Sequence, residues 1–213
     1  MPRQNRVTPF GDLVAVPERG LMFGNRGLLH NRERQIVRNS QVRRWIVCQL
    51  EFRGRRREIM RPGYYTELFF LDEATALAAG HRPCAECRRP AYDRFRRYWA
   101  IAQSGSAERL PSADEMDARL QQDRLEGRRD KKTYQAEIAT LPDGVFIARE
   151  GDAWLLWQAA LHHWTPSGYD RRLPRPASGS VTVLTPRATV SVIAVGYTPM
   201  ILASCQLAKL GTA

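Results

Sequence analysis

Hydrophobic and polar residues alternate along residues 45–52, and this pattern predicts a β-strand. One face of the strand would carry four side chains, Ile46, Cys48, Leu50 and Phe52. Residues 55–60 follow a turn at Gly54 and are expected to return as its hairpin partner, and residues 64–71 predict another strand. Residues 1–35 carry proline, glycine and asparagine at short intervals, so we expect them to be irregular.

The hydrophobic period changes to that of a helix after these strands. Asp72 is a favourable N-cap for a short helix, which Gly80 is expected to end. Pro90 suits the first turn of a second helix, over about residues 90–102. Four residues of this segment recur at helical spacing and should face a core, namely Tyr92, Phe95, Trp99 and Ala102.

A third helix is predicted where Ser112 and Glu115 form a capping-box pattern. Charged residues occupy most of its faces, so we expect it to be solvated or to contact a partner. Residues 131–141 predict a further helical segment.

Short segments rich in β-forming residues dominate the C-terminal part of the chain. They predict a hairpin at 145–158, a proline- and glycine-rich loop at 162–180, and a strand at 181–184. A short helix should follow at 185–196 and end at Gly196.

The composition limits the class of protein. Hydrophobic residues make up 43% of the 213 residues, which is typical of a globular chain rather than a disordered one. No apolar run approaches the roughly 18 residues of a membrane helix, and the N-terminus has no apolar signal core. We therefore expect a cytoplasmic protein with reduced thiols, in which four cysteines do not form a disulfide framework.

The net charge of +11 is concentrated in the N-terminal half. Residues 1–100 contain 20 arginines and 10 acidic residues, whereas residues 101–213 contain 13 basic and 12 acidic residues. This excess predicts a phosphate-rich partner, most simply nucleic acid and in particular DNA. An acidic protein partner, or charge that serves only solubility, remains as an alternative.

Two arginine clusters are the candidate phosphate contacts. One lies at the predicted hairpin turn and the other follows the cysteine pair described below: Arg53, Arg55, Arg56 and Arg57, and Arg88, Arg89, Arg94, Arg96 and Arg97. Aromatic residues near the first cluster would stack on bases if exposed, although adjacent aromatic residues in a strand usually include core residues: Tyr64, Tyr65, Phe69 and Phe70.

Cys84 and Cys87 form a Cys-x-x-Cys pair directly before the second predicted helix. Such a turn directs both sulfurs at one metal ion, and the helix N-terminus and nearby arginines favour the thiolate. A structural zinc site takes four ligands, so the pair is half of a site. Cys48, on the predicted strand, is the first candidate for a further ligand, and His30, in a turn-rich loop, is the second.

Other uses of the pair, and other ligands, stay open. The remaining candidate ligands are His81, His162, His163 and Cys205. A redox pair would follow a strand in a βαβ context, whereas a helix is predicted before this pair. Cysteines without a chemical role are the third interpretation, because free cysteine is often a core residue.

The string DEATALAAGHRPCAECR resembles the zinc-binding module at the N-terminus of the Ada DNA-repair methyltransferase and related zinc modules attached to nucleases. The matching positions are Glu73, Ala74, Ala79, Gly80, Arg82, Pro83, Cys84 and Cys87. The resemblance implies a zinc site and DNA contact, in repair or regulation. The Ada module has a further Cys-x-x-x-Cys, one cysteine of which accepts a methyl group from a phosphotriester, whereas only Cys48 lies upstream here. The whole chain also resembles a bacterial family that implies no function.

Catalytic motifs are sparse. The chain has no glycine-rich phosphate loop, no G-x-S-x-G and no H-E-x-x-H. His162 and His163, with Asp170 nearby and Glu67 or Asp72, would be the candidates for a metal-dependent nuclease site. The alternative is a surface histidine pair that closes a hairpin.

These observations predict an α+β protein. A basic β-hairpin and helix unit with a zinc knuckle is expected at 1–103, a linker and charged helix at 104–130, and a smaller α+β unit with a β-hairpin at 131–213. The leading hypothesis is a zinc-stabilised DNA-binding protein whose zinc ligands are Cys84, Cys87, Cys48 and His30. A metal-dependent nuclease or other nucleic-acid-processing enzyme, and an interaction protein that docks an acidic partner, are the alternatives.

Overall fold

A computed structural model describes residues 1–55, 58–127 and 130–202. The fold is α+β, as the sequence predicts. Two six-stranded sheets, a small two-stranded hairpin and four α-helices make up the regular structure of the described residues.

The N-terminal sheet is mixed. Its strands in chain order are β1 (Gln4–Val7), β2 (Leu13–Ala15), β3 (Met22–Asn25), β4 (Ile46–Gln49), β5 (Leu68–Phe70) and β6 (Arg82–Pro83). In space the order is β2-β1-β5-β3-β4-β6. Strand β4 pairs antiparallel with β3 and parallel with β6, which is the edge strand.

Residues 1–35 were expected to be irregular, and this prediction is wrong because the segment contributes β1, β2 and β3. Two of its glycines, Gly20 and Gly24, mark close approach of the backbone, whereas Gly11 and Gly27 have a positive φ. A Cβ on Gly24 would lie 2.2 Å from the Ile46 carbonyl oxygen, and one on Gly20 would lie 2.0 Å from the Phe70 carbonyl oxygen. These glycines therefore let neighbouring strands pack.

The predicted strand at 45–52 is confirmed in its centre as β4, but its predicted hairpin partner is wrong. The partners of β4 are β3 and β6, and residues 58–63 form turns and coil. Arg56 and Arg57 lie outside the described residues. The strand predicted at 64–71 is shorter and comprises only β5.

The C-terminal sheet is antiparallel. A short hairpin of β7 (Leu125–Glu126) and β8 (Asp130–Lys131) precedes it. Its own strands are β9 (Tyr134–Glu137), β10 (Phe146–Arg149), β11 (Asp152–Trp157), β12 (Ala160–Thr165), β13 (Gly168–Pro174) and β14 (Ser180–Val183). The order is β13-β12-β11-β10-β14-β9, and the predicted hairpin at 145–158 is confirmed as β10 and β11.

Two predictions for this region are wrong. Residues 131–141 are β8, β9 and one 3-10 turn rather than a helix, because β9 pairs along its length with β14. Residues 162–180 are not mainly loop, because β12 and β13 form a hairpin there. Pro166 and Gly168 lie at its tight turn, so their loop signal concealed the strands on either side.

The four helices are α1 (Glu73–Ala78), α2 (Arg89–Ser104), α3 (Ala113–Arg124) and α4 (Arg187–Ala194). The predicted caps are confirmed: Asp72 accepts from the Thr75 backbone N–H, and Ser112 and Glu115 form the capping box of α3. Gly80 follows α1 with a φ of +92°, a conformation that favours glycine. Tyr92, Phe95 and Trp99 are buried as predicted, and Ala102 is half-buried.

The acidic start of α1 is a buried hub that the last described residues complete. Asp72 accepts hydrogen bonds from the Tyr169 hydroxyl (2.8 Å) and from the Leu202 backbone N–H (3.0 Å). Glu73 accepts hydrogen bonds from the Tyr197 hydroxyl (2.5 Å) and the Met200 backbone N–H (2.9 Å). Burial is the main cause that raises the pKa of Asp72.

The core does not divide at the predicted boundaries 103/104 and 130/131. One hydrophobic cluster contains Leu77 and Phe95 together with Met116, Leu156 and Val192. Helix α2 packs against α4, which comes from the far end of the chain. Elements of all three predicted units therefore share one core.

Helix α3 was expected to be solvated or to face a partner, yet one of its faces is buried. Met116 and Leu120 are fully buried in the core. Asp117 accepts two hydrogen bonds from Arg82, at 2.8 and 2.7 Å, and both side chains are at most 4% exposed. This bidentate pair joins α3 to β6, so some of the charges on α3 hold the interior together.

We expect Asp117→Ala to lower the free energy of unfolding by about 3–5 kcal/mol, because it leaves Arg82 buried without its counter-ion. Urea unfolding followed by circular dichroism measures this loss. Asp114→Ala is the control, because Asp114 lies exposed in the same helix, and its effect should stay below about 1 kcal/mol. Equal effects of the two substitutions would contradict a stabilising buried pair.

Candidate metal centre and nucleic-acid interface

The pairing of β4 with β6 brings distant cysteines together. The Arg82 backbone N–H donates to the Trp45 carbonyl (3.1 Å), and the Cys84 backbone N–H donates to the Val47 carbonyl (2.9 Å). Cys84 therefore lies beside Cys48, although 35 residues separate them in the sequence. The next residues turn back, and Arg88 N–H donates to the Cys84 carbonyl at the start of α2.

The sulfur atoms of Cys48, Cys84 and Cys87 all lie within 4.8 Å of one another. Thiolates of a tetrahedral zinc site are separated by about 3.8 Å, given Zn–S distances of about 2.3 Å, so this spacing suits one ion. Cys48 and Cys84 are buried, and Cys87 is half-buried. The three cysteines could hold a metal ion, and the predicted proximity of Cys48 to the pair is confirmed.

The thiols polarise one another. The pKa of Cys84 lies far below its usual value because the thiols of Cys48 and Cys87 donate hydrogen bonds to its sulfur. Hydrogen bonding to Cys84 and Cys87, together with burial, raises the pKa of Cys48. The hydrogen bonds among the three thiols thus favour the thiolate at Cys84 and the thiol at Cys48. A cation bound by the three sulfurs would replace the remaining thiol protons, as metal binding to cysteine requires.

The cysteines line a cavity of about 510 Å³. Phe52 and Tyr65 contribute aromatic walls, and the exposed residues Arg44 and Arg55 lie where the cavity meets solvent. Arg55 forms an ion pair with Glu86 at 2.5 Å. Because both partners are exposed, water screens this pair, and a stronger anion can replace Glu86. The three cysteines therefore face an accessible cavity with cationic and aromatic sides.

His30 lies apart from the thiol group. Its Nδ1 is 2.6 Å from the Thr66 hydroxyl, and its Nε2 is 3.2 Å from the Arg61 carbonyl oxygen. Both ring nitrogens thus have protein partners, and the thiol cluster in the described part of the chain does not include His30. The structure gives no support to the prediction of His30 as a ligand. Cys205 lies outside the described residues.

His81 is a core residue. Its ring packs between Trp45 (5.2 Å between centroids) and Phe70 (4.7 Å). Burial, and then the charges of Arg26 and Arg124, hold the pKa of His81 well below its usual value, so the ring is neutral.

The prediction that Arg88 contacts phosphate is wrong, because this side chain is buried. Its guanidinium forms an ion pair with Glu73 at 2.8 Å, and Arg88 is 8% exposed. Arg88 therefore ties the start of α2 to the start of α1. In a sequence, a structural arginine next to a cysteine pair looks the same as a phosphate-binding one.

The other predicted arginines divide by their surroundings. Arg96 is half-buried and donates to the carbonyl oxygens of Leu110 and Pro111. Arg89 is exposed and paired with Asp93. The remaining described members of the two clusters are exposed, namely Arg53, Arg55, Arg94 and Arg97, whereas Arg56 and Arg57 lie outside the described residues.

The aromatic residues after residue 63 are mostly packed. Phe70 is fully buried, Tyr65 and Phe69 are half-buried, and Tyr64 is 52% exposed. Among them only Tyr65 lines the cavity at the thiols. The expectation that this group includes core residues is confirmed.

The histidine pair at 162–163 meets one of the acidic residues proposed for a nuclease site, Asp170, but the described residues hold no group at metal-binding spacing that contains these histidines. His162 is buried, with its Nε2 3.2 Å from the Trp157 carbonyl oxygen. His163 lies between Asp170 (2.6 Å) and Asp152 (3.3 Å). Within the described residues, the cysteine cluster is the one group with metal-binding spacing.

Arg44 is a functional candidate that sequence reasoning missed. It precedes Cys48 by four residues, so alternation along an extended strand places Arg44, Ile46 and Cys48 on the same side. All three line the cavity. The spacing of Arg44 from Cys48 is therefore the sequence signal for this residue, but the arginine run at 53–57 is more conspicuous.

Comparison of the chain with protein-family models, curated proteins and solved structures finds no match. Among the described residues, none of the helices combines the length and the apolar character needed to cross a bilayer.

We expect the purified protein to contain one metal ion per chain, and Cys48→Ser, Cys84→Ser and Cys87→Ser each to weaken its binding by at least about 100-fold, since each removes a thiolate ligand. Competition with a chromogenic chelator measures the affinity.

Cys205→Ser tests the remaining cysteine of the chain: metal binding as tight as that of the wild type limits the thiol ligands to the three that converge, whereas weakened binding would make Cys205 a fourth ligand. A Cys48→Ser protein that binds metal as tightly as the wild type would remove Cys48 from the site.

Proposed function

We propose that this protein is a zinc-containing nucleic-acid-binding protein, with DNA as its partner, and that the cavity at the metal centre takes a nucleotide unit. The observation that carries the proposal is the convergence of three thiols with two exposed arginines, Arg44 and Arg55, around one cavity.

The choice of zinc follows from the donors. Thiolate ligands select soft or borderline ions, principally zinc, copper(I) and iron–sulfur clusters. Zinc tolerates a site in which three protein ligands leave a fourth position open, and zinc carries no redox chemistry of its own. A zinc ion held by Cys48, Cys84 and Cys87 would link β4 to the turn before α2.

The choice of nucleic acid follows from charge, size and shape. A volume of about 510 Å³ lies within the usual range of about 300–1,000 Å³ for ligand sites. Arginine at the rim offers bidentate donors to a phosphate, and Phe52 and Tyr65 offer ring surfaces to a base. The excess of ten positive charges in residues 1–100 would attract a polyanion over a longer range.

The resemblance to the Ada zinc module agrees with this proposal but does not extend to methyl transfer. That module has two upstream cysteines, whereas Cys48 is the single one here. The three thiols of the described cluster would supply three ligands to the ion, and the paired upstream cysteines of the Ada module have no counterpart here. Binding, in repair or regulation, is therefore the function we assign.

Elemental analysis of protein purified without added metal should find zinc at one ion per chain. Removal of zinc by a chelator should lower the melting temperature, because the ion cross-links β4 and the Cys84–Cys87 turn. A metal-free protein with an unchanged melting temperature would contradict a structural contribution of zinc.

We expect duplex DNA binding to weaken steeply with salt, and the double substitution Arg44→Ala/Arg55→Ala to reduce the slope of log K against log salt by about 1.8, which corresponds to two lost phosphate contacts. Fluorescence anisotropy over a salt series measures the slope.

Arg94→Ala/Arg97→Ala is the control, because it removes the same charge from the exposed face of α2, away from the residues that line the cavity. If both double variants change the slope equally, general charge rather than the cavity governs binding. An affinity that does not depend on salt would overturn the phosphate contacts.

A further inference from the structure

A second cavity, of about 40 Å³, shares no lining residue with the metal-centre cavity. It lies where the β7–β8 hairpin meets the N-terminal sheet. Its charged lining consists of three cations, Arg26, Arg124 and Lys131, and one acid, Asp12. Burying this excess of positive charge is unfavourable unless something compensates for it.

The two arginines are buried more deeply than most charged side chains. Arg26 is 2% exposed and Arg124 is 1% exposed. They stack on the ring of Trp45, with guanidinium carbons 4.6 and 4.0 Å from its centroid. These cation–π contacts offset part of the desolvation, but they neutralise no charge.

Their hydrogen bonds are incomplete. Arg26 donates to the Gly11 carbonyl (2.8 Å). Arg124 donates to the Gly80 carbonyl (2.9 Å), to the Arg43 carbonyl and to the side-chain carbonyl oxygen of Gln121 (2.6 Å). The Nε–H groups of both arginines are buried and have no hydrogen-bond partner within the described chain. All these partners are neutral carbonyls, so no carboxylate is bonded to either guanidinium among the described residues.

Lys131 is the third basic side chain of this cavity. Its ammonium donates to the Ala78 carbonyl, and burial is the main cause that lowers the pKa of Lys131 to about 7. Burial likewise lowers the pKa of Arg124 to about 9 and that of Arg26 to about 10. Nearby cations also lower the pKa values of Arg124 and Lys131. Two carboxylates act in the opposite direction: Asp117 raises the pKa of Arg124, and Asp12 raises those of Arg26 and Lys131.

We propose that this cavity is a binding site for one phosphate-sized oxyanion, held by Arg26, Arg124 and Lys131. An oxyanion there would accept hydrogen bonds from the two unpartnered Nε–H groups and would balance the surplus charge. A water molecule needs about 10–15 Å³ of such space, so about 40 Å³ accommodates a few atoms of that size but not a nucleotide.

The oxyanion has two sources of the same chemistry, free inorganic phosphate or sulfate and the terminal phosphate of a nucleic-acid strand. The site stands independently of the proposed function, because none of its residues lines the metal-centre cavity. Zinc content and phosphate binding are separate measurements, so one proposal can fail while the other holds.

The test is calorimetric titration of the full-length protein with inorganic phosphate at constant ionic strength, with chloride as the balancing anion. We expect one site per chain, and Lys131→Met to weaken phosphate binding by tenfold or more. Lys132→Met is the matched control, because Lys132 is exposed and adjacent, and it should change the affinity by less than about twofold.

Asp12→Asn is a second variant, whose expected effect is a gain. Asp12 is exposed and repels an anion in this cavity, so its neutralisation should tighten phosphate binding several-fold. Misfolding cannot mimic a gain in affinity. The absence of phosphate and sulfate binding to the wild type, or equal effects of Lys131→Met and Lys132→Met, would overturn the proposal.

A final comparison distinguishes the two sources. Oligonucleotides with a 5′-phosphate and with a 5′-hydroxyl are titrated into wild-type protein and into Lys131→Met. A preference for the phosphorylated end that Lys131→Met abolishes assigns the site to a strand terminus. Phosphate binding without such a preference assigns it to the free anion.

Discussion

The candidate metal centre depends on the parallel pairing of β4 with β6. This pairing is minimal: β6 has two residues, and Pro83 has no backbone N–H to donate. Proline is tolerated there because β6 is the sheet edge, and the N–H groups of Arg82 and Cys84 on either side make the contacts. So short a strand needs support from outside the sheet.

Buried ion pairs supply that support. Arg82 is clamped by Asp117 of α3, and Arg88 is clamped by Glu73 of α1, so both flanks of the Cys84–Cys87 turn are tied to helices. The Arg82–Asp117 pair fixes a direction as well as a distance, since Arg82 binds both carboxylate oxygens of Asp117. The interior thus contains two kinds of buried arginine. Arg82 and Arg88, beside the thiols, form ion pairs with carboxylates, whereas Arg26 and Arg124 stack on Trp45 and form no ion pair with a carboxylate among the described residues.

Local signals in the sequence were sufficient for some of the architecture. The Asp72 cap, the Ser112–Glu115 capping box and the hairpin of β10 and β11 each depend on residues within a few positions of one another. Contacts between distant segments were not predictable in this way. No local pattern predicts that β4 pairs with β6 or that Glu73 contacts Arg88. Nor does a local pattern show that the backbone of β4 approaches Gly24 closely. Cys48 was identified because a Cys-x-x-Cys pair needs further ligands and because Cys48 lies on a predicted strand, although the hairpin expected to bring that strand to the pair is not the pairing that does so.

The hydrogen bonds of the buried hub at the start of α1 constrain the order in which the protein can fold during synthesis. Asp72 and Glu73 are synthesised before the first half of the chain is complete, but their partners at Tyr197, Met200 and Leu202 emerge from the ribosome about 125 residues later, at about 5–20 residues per second. During that interval the two carboxylates lack the hydrogen-bond donors that the C-terminal residues provide in the native core. The nascent N-terminal half already contains Cys48, Cys84 and Cys87. It therefore remains for several seconds without the C-terminal residues that complete the hydrogen bonds of its buried carboxylates.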